Sequence, residues 1–196
     1  MEEIIKKRII DSAKNGIITS HDVTNMGIHR SALQELVNEG AIKMTSRGVY
    51  ILADEWEDDY YLLQQKYKRG IFSHSTALYL HGYSDRVPLS FHMTFPVGYN
   101  SPSLKEENVV VTRVNKNNYD EGITTIKTPY GNVVKAYDLE RSLCDMMRGR
   151  DIDIQTVQQS MRKYSNSKDK NINRLLLYAK LLRVEPKMRK YLEVLL

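Results

Sequence analysis

The sequence predicts a two-domain α/β protein: a small helical N-terminal domain closed by a β-hairpin, then a larger domain with a small, mostly antiparallel sheet and a helical C-terminal end. Three observations carry this. Helix-period segments and a hairpin signal fill the first fifty residues. Period-two alternation runs through the middle of the chain. Amphipathic helical periods return over the last forty-six residues. A length of 196 residues allows one large domain or two small ones.

The first helix is expected over Glu2–Ala13, because Ile4, Ile5, Ile9 and Ile10 recur near a 3.6-residue period with charges opposite. Asn15-Gly16 ends it. Thr19 or Ser20 offers an N-cap hydroxyl for a short helix over His21–Met26, which Gly27 breaks. A third helix follows from about His29 to Asn38, with Leu33, Leu36 and Val37 inward and Gly40 as stop. Ala41–Met44 and Val49–Leu52 flank Thr45-Ser46-Arg47-Gly48 and read as a hairpin. That order is a winged helix-turn-helix, expected over residues 1–53. Its third helix would present a polar face to the major groove of DNA. The candidate contacts are Ser20, His29, Arg30, Ser31 and Gln34, with Asn38 at the margin. Arg reads guanine edges and Gln reads adenine. The hairpin tip would offer Lys43, Thr45, Ser46 and Arg47 to phosphates or the minor groove. Winged helices also serve as protein-contact modules, and Glu35 and Glu39 lie on or near the reading helix.

Residues 54–69 read as an acidic linker running into a helix. Asp54, Glu55, Glu57, Asp58 and Asp59 suit a solvated helix N-terminus, and Trp56 is expected to pack at a domain junction. The C-terminal domain is expected over residues 70–196. Ser73–Gly82 reads as a short capped helix whose His74 and His81 are structural, since too few further ligands lie near for a metal. Val87, Leu89, Phe91, Met93, Phe95, Val97 and Tyr99 alternate, giving a half-buried strand with its core at Leu89–Phe95. Val109–Val114 reads as a second, mostly buried strand, and Ile123–Thr128 with Val133–Ala136 as a hairpin. Asp138 should cap a helix through Met147, with Cys144 as a small buried hydrophobe. Three amphipathic helices complete the chain, the last with Pro186 in its first turn.

Composition narrows the function classes. A single cysteine, Cys144, excludes an internal disulfide framework and a multi-thiolate zinc site, which fits a reducing cytoplasm. The longest uncharged run, Val87–Leu104, holds eight apolar residues and three prolines and cannot span a bilayer. Met1–Ile10 mix Glu2, Glu3, Lys6, Lys7 and Arg8 with apolar residues, so no signal-peptide apolar region is expected there. The net charge is +5. Residues 1–53 carry seven basic and six acidic side chains, residues 54–150 twelve and thirteen, and residues 151–196 ten and five. The excess therefore sits in the C-terminal quarter, where Lys187, Arg189 and Lys190 are candidate phosphate contacts. Phosphate-loop, dinucleotide, zincin and nucleophile-elbow motifs are absent. Asp138, Glu140 and Asp145 share one helix without a nucleophile or orienter at a supporting spacing, so no catalytic residue, metal or cofactor is expected.

The segments ITSHDVTNMGIHRSALQELVNEGAIKMTSRGVYIL, GIFSHSTALYLHGYSDRVP and YGNVVKAYDLERSLCDMM, in that order, resemble the AbiEi-type antitoxins of type IV toxin–antitoxin systems of abortive phage infection. The resemblance implies a bacterial antitoxin that represses its own bicistronic operon at inverted repeats, as a monomer in solution that binds cooperatively on DNA. It implies a C-terminal antitoxin domain that neutralises a co-encoded nucleotidyltransferase-like toxin, without requiring a stable complex. Arg30, Ser31, Gln34, Lys43 and Arg47 would carry DNA binding, with the basic C-terminal helices extending that surface. Ser73, His74, His81, Glu140, Arg141 and Asp145 fall in the family-like segments, where a structural role explains them equally well. Two other readings stay open: a winged-helix regulator with a ligand-sensing or dimerisation domain, and a nucleic-acid-modifying enzyme.

Overall fold

A computed structural model describes residues 3–148 and 153–195. The expected helix start at Glu2 lies outside them. The chain divides into two compact units, Met1–Lys68 with Thr128–Asn132, and Arg69–Lys127 with Val133–Leu196. The mixed α/β class is as the sequence predicts.

The first unit runs α1 (Glu3–Asp11), β1 (Ile17–Thr19), α2 (Ser20–Asn25), α3 (Ser31–Asn38), β2 (Ile42–Ser46), β3 (Val49–Leu52) and α4 (Asp59–Lys66). Thr19, not Ser20, caps α2: its hydroxyl accepts from the Asp22 amide while the Asp22 carboxylate accepts from Thr19 N, a reciprocal capping box. The third helix starts at Ser31 rather than His29. Ile9, Ile18, Val23, Leu33, Leu36 and Ile42 form one buried cluster. Burying each such side chain stabilises the fold by about 1.5–3 kcal/mol. The hairpin β2–β3 gains a third antiparallel strand, β1, with Ile17 opposite Ile51. Three residues are too few for a period-two signal, so this strand escaped the sequence reading.

Asp58 caps the N-terminus of α4, its Oδ1 accepting from Tyr61 N at 3.2 Å. The residue is nonetheless buried. Its Oδ2 accepts from Thr128 Oγ1 at 2.5 Å and from Asn132 Nδ2 at 2.9 Å. Trp56 departs from expectation, standing 82% exposed. No apolar neighbour follows it in the acidic run, so nothing local draws it inward.

The second unit runs β4 (Ile71–Phe72), α5 (His74–Leu80), β5 (Phe91–Pro96), a 3-10 turn (Pro102–Lys105), β6 (Val109–Val114), α6 (Lys116–Asp120), β7 (Ile123–Lys127), β8 (Val133–Tyr137), α7 (Leu139–Arg148), α8 (Ile154–Ser165), α9 (Ile172–Leu181) and α10 (Glu185–Leu195). Its sheet has the order β6-β5-β4-β8-β7. The expectation of a mostly antiparallel sheet is corrected here. The β5–β6 and β4–β8 pairings are parallel, and β4–β5 and β7–β8 antiparallel. Alternation reports burial, not strand direction. The twelve residues between β5 and β6 are enough for the crossover that a parallel pair needs. Two further strand readings shift. Leu89 lies outside β5 and is 94% exposed, and β6 is an edge strand with one fully buried residue, Val114.

Packed between α5 and α9 is α7, in which every residue from Glu140 to Met147 is buried. The polar residues at its start and in its buried stretch are engaged, apart from one Arg141 nitrogen that has no partner among the described residues. Asp138 caps it, accepting from Arg141 N at 2.8 Å and from the Tyr178 hydroxyl at 2.9 Å. Glu140 accepts from both Nε and NH2 of Arg174, from Tyr164 and from Asn171 N. Arg141, fully buried, pairs with Asp145 at 3.1 Å, donates to the carbonyls of Asn118 and Glu121, and lies 4.2 Å from the Tyr137 ring centre. Burial pushes the Asp145 carboxyl up to about 6, against the opposite pull of Arg141. His81 Nε2 meets the Tyr137 carbonyl at 2.8 Å, as a structural histidine should. Cys144 is buried in the apolar cluster of α7–α10, as expected.

Replacing Arg141 by alanine leaves the buried Asp145 charge without its counter-ion. Urea denaturation followed by circular dichroism should show a loss of about 3–5 kcal/mol; a loss below about 1 kcal/mol would contradict the pairing. A second test concerns pH. His74 and His92 have ring centres 5.4 Å apart. Burial drives both down to about 4, with Arg141 and Arg148 adding to the effect at His74, and His74 adding to it at His92. Their folded values lie below the ordinary 6.5, so the unfolded chain takes up protons first as pH falls. Stability present above pH 6.5 should therefore be lost between 6.5 and about 4. Both histidines are half-buried, so each contributes at most about 1.4 kcal/mol per pH unit, reduced by solvent screening. His74→Asn, which tolerates the left-handed backbone of this residue (φ 51°), should flatten the melting-temperature profile over that window.

Candidate nucleic-acid interface

The turn between α2 and α3 is made by Gly27 at φ +73°, and Gly40 at φ +73° ends α3. Ala32, Leu33 and Leu36 point into the core, which leaves Arg30, Ser31, Gln34, Glu35 and Asn38 exposed on the opposite side. These polar side chains are organised by local bonds. Gln34 Nε2 donates to Asn38 Oδ1 at 3.2 Å, one helical turn on. His29 Nδ1 accepts from Ser31 N at 3.3 Å and lies 2.9 Å from the Ser31 hydroxyl, so His29 holds the start of the helix.

Arg30 is the most constrained of the set. Its Nε donates to Thr24 Oγ1 at 3.1 Å, and that hydroxyl donates to the Ser20 carbonyl at 2.8 Å. The guanidinium is thereby tied to α2 through one nitrogen. Its two terminal amino groups make no bond among the described residues. They form the fork that matches a guanine edge or a phosphate. Thr24 is a positioning residue that the sequence reading missed. It lies six residues before Arg30, and no helical or strand period links such a pair.

The wing is held as closely. Ser20 N donates to the Gly48 carbonyl at 2.8 Å. A Cβ built on Gly48 would stand 2.7 Å from Ser20 Oγ, and Gly48 has φ +77°. Ser20 thus locks the wing tip onto α2, and Arg47 is exposed beside it. The other wing residues do not gather at the tip. Lys43 pairs across from Ile51, and its Nζ donates to the Ala53 carbonyl at 3.1 Å, near the base of the hairpin. Thr45 sits at an irregularity in the β2–β3 register, with its hydroxyl turned to the Val49 carbonyl at 3.3 Å. Ser46 Oγ is buried without a partner among the described residues. Met44, which the sequence reading left out of the set, is 60% exposed on the wing.

Lys187, Arg189 and Lys190 belong to α10 of the second unit, and all are exposed. Lys187 Nζ donates to the Met147 carbonyl at 3.2 Å. Arg189 is paired with Glu185 one turn earlier at 2.7 Å, which offsets its charge. Lys190 borders two hollows with Tyr191, one lined also by Arg162, Val194 and Leu195, the other by Met147, Ile154 and Lys187.

Glycine at position 48 is a specific demand of this wing. Gly48→Ala should lower stability by about 1–2 kcal/mol through the left-handed backbone alone, with the Ser20 clash added. A thermal melt of the full chain reads this directly, and an unchanged melting temperature would rule out the tight wing tip.

Comparison with known proteins bears on both units. Residues 7–53 match the AbiEi_4 family, described as "Transcriptional regulator, AbiEi antitoxin". That segment spans α1 from Lys7, the α2–α3 pair and the whole wing. No curated protein matches the chain. Among solved structures, the RV2827C protein from Mycobacterium tuberculosis is similar in fold, with a TM-score of 0.58 over 88% of this chain and 69% of that one. The two share 17% identity, a level at which the likeness concerns fold. Among the described residues no helix is long and apolar enough to cross a membrane. The AbiEi resemblance read from the sequence is thus shown in the N-terminal quarter of the chain, where residues 7–53 match that antitoxin and regulator family.

Proposed function

We propose that the protein is the antitoxin of a type IV toxin–antitoxin system and represses its own operon by binding inverted repeats in the promoter. The observation that carries the DNA-binding half is the Arg30–Thr24–Ser20 chain of hydrogen bonds. It orients a free guanidinium fork on the exposed face of α3, before any DNA arrives. Preorganisation of this kind reduces the ordering cost of recognition. Ser31, Gln34 and Asn38 would extend the reading face, and Arg47 on the wing would hold a phosphate. Lys190 would add a phosphate contact, with Lys187 contributing less because its ammonium is held on the Met147 carbonyl and Arg189 less because Glu185 holds it. Lys43 is a weaker candidate than its sequence position suggested, since its ammonium is occupied at the wing base.

The antitoxin half is supported by the family match and by the order of the three family-like segments. The partner in this reading is a co-encoded nucleotidyltransferase-like toxin. The carboxylates of α7 and its cap Asp138 are committed to bonds with Arg141, Arg174, Tyr164 and Tyr178, which favours a regulator over an enzyme acting through them.

Fluorescence anisotropy of the full chain on the DNA upstream of its own gene tests the reading. Arg30→Ala should cost about 1–3 kcal/mol and relax the preference for promoter over random duplex. Reversal of Lys187 and Lys190 to glutamate should weaken both duplexes alike and lower the magnitude of the salt slope by about 0.9 for each phosphate no longer neutralised. Equal affinity of wild type and Arg30→Ala for the promoter would remove α3 from the interface.

A further inference from the structure

A polar pocket of about 420 Å³ opens in the second unit, where α6 meets the C-terminal ends of α7 and α9. Its lining is Asn115, Asn118, Arg148, Leu181, Leu182 and Arg183. No carboxylate belongs to that lining, and neither arginine has an ion-pair partner among the described residues. A third cation stands behind the wall. Arg141 donates NH1 to the Asn118 carbonyl at 2.7 Å, and its buried NH2 has no hydrogen-bond partner among the described residues. Asp145 balances one of these three charges, so a surplus of positive charge faces the hollow.

The backbone at Arg183 adds a second observation. Helix α9 closes with Arg183 N donating to the Lys180 carbonyl at 3.1 Å and Val184 N to the Ala179 carbonyl at 2.8 Å. Arg183 itself sits at φ 61°, the left-handed position after a helix that favours glycine. The side chain carried on this unfavourable backbone lies in the pocket wall. Asn115 Oδ1 is occupied by Asn118 N at 2.9 Å, which leaves the Asn115 carboxamide N–H groups as donors. Arg148, Arg183 and the Asn115 carboxamide N–H groups thus offer a ligand a set of donors.

We propose that this pocket binds a phosphate ester of nucleotide size, with the Arg148 and Arg183 guanidiniums on its phosphate oxygens and Asn115 donating beside them. Planar guanidinium forks match phosphate geometry bidentately. The volume lies in the range of small-ligand sites. Arg148, Arg183 and Asn115 are exposed at the mouth of this hollow; its concavity suits a free nucleotide, whereas a duplex presents its phosphates on a convex surface. The pocket belongs wholly to the second unit and does not depend on the promoter reading.

Isothermal titration calorimetry of the full chain with ATP, pyrophosphate and adenosine tests it. ATP and pyrophosphate should bind and adenosine should give no heat. Arg148→Gln and Arg183→Gly should each weaken ATP by about tenfold or more, while Arg30→Ala leaves it unchanged. Arg183→Gly should hold or raise the melting temperature, because glycine relieves the left-handed backbone, so weakened binding cannot be read as failed folding. Absence of heat with ATP, or equal ATP affinity in both variants and wild type, would overturn the proposal. So would a random duplex whose affinity falls in both variants while ATP stays silent, because the arginines would then serve the DNA backbone.

Discussion

A fully buried arginine organises the second unit. Arg141 reaches from α7 to Asp145 on its own helix, to the Tyr137 ring at the end of β8, and to the carbonyls of Asn118 and Glu121 around α6. Its charge could not be tolerated there alone. Desolvating an ion costs several kcal/mol, and only a counter-charge with hydrogen bonds offsets that. The carboxyl of Asp145 is still held above its ordinary range, which shows that burial outweighs the attraction at this site. The pair is therefore better understood as fixing the arrangement of α6, α7 and β8 than as a large source of stability. Glu140 with Arg174 repeats the device at lower stakes, because Arg174 is 45% exposed and keeps part of its hydration.

The first unit uses a different logic. Its apolar cluster is small, and order at its surface comes from hydrogen bonds between neighbouring elements. The capping box at Thr19, the Ser20–Gly48 bond and the Thr24–Arg30 bond all converge on α2. One short helix thereby fixes the wing tip and the start of α3. The segment matching the regulator family contains every one of these bonds. On the proposed DNA-binding reading, a substitution in α2 would act indirectly, through the placement of Arg30 and of the wing tip beside Arg47.

The helix-turn-helix order and most turn positions could be read from residues 1–53, because glycines and caps are local signals. Gly27, Gly40 and Gly48 all adopt the positive φ that their turns need. The exposed face of α3 followed from the same periodicity that put Leu33 and Leu36 inside. The wing set was less legible. A hairpin signal gives the strands but not the register, and the irregularity near Thr45 decides which side chains turn back onto the backbone.

The sequence by itself determined the α/β class, the α2–turn–α3 pair followed by the β2–β3 hairpin, the capped start of α7 and the burial of Cys144. Each of these rests on periodicity, capping or composition within a dozen residues. Tertiary structure alone decided the parallel pairings of the sheet, the two-residue central strand β4, the burial of Asp58 under Thr128 and Asn132, and the meeting of Arg148 with Arg183. Those depend on partners far apart in the chain, brought together by chain closure around a common core. Local patterns carry no record of which distant segments will meet, because a period reports only whether a face is buried, not what buries it.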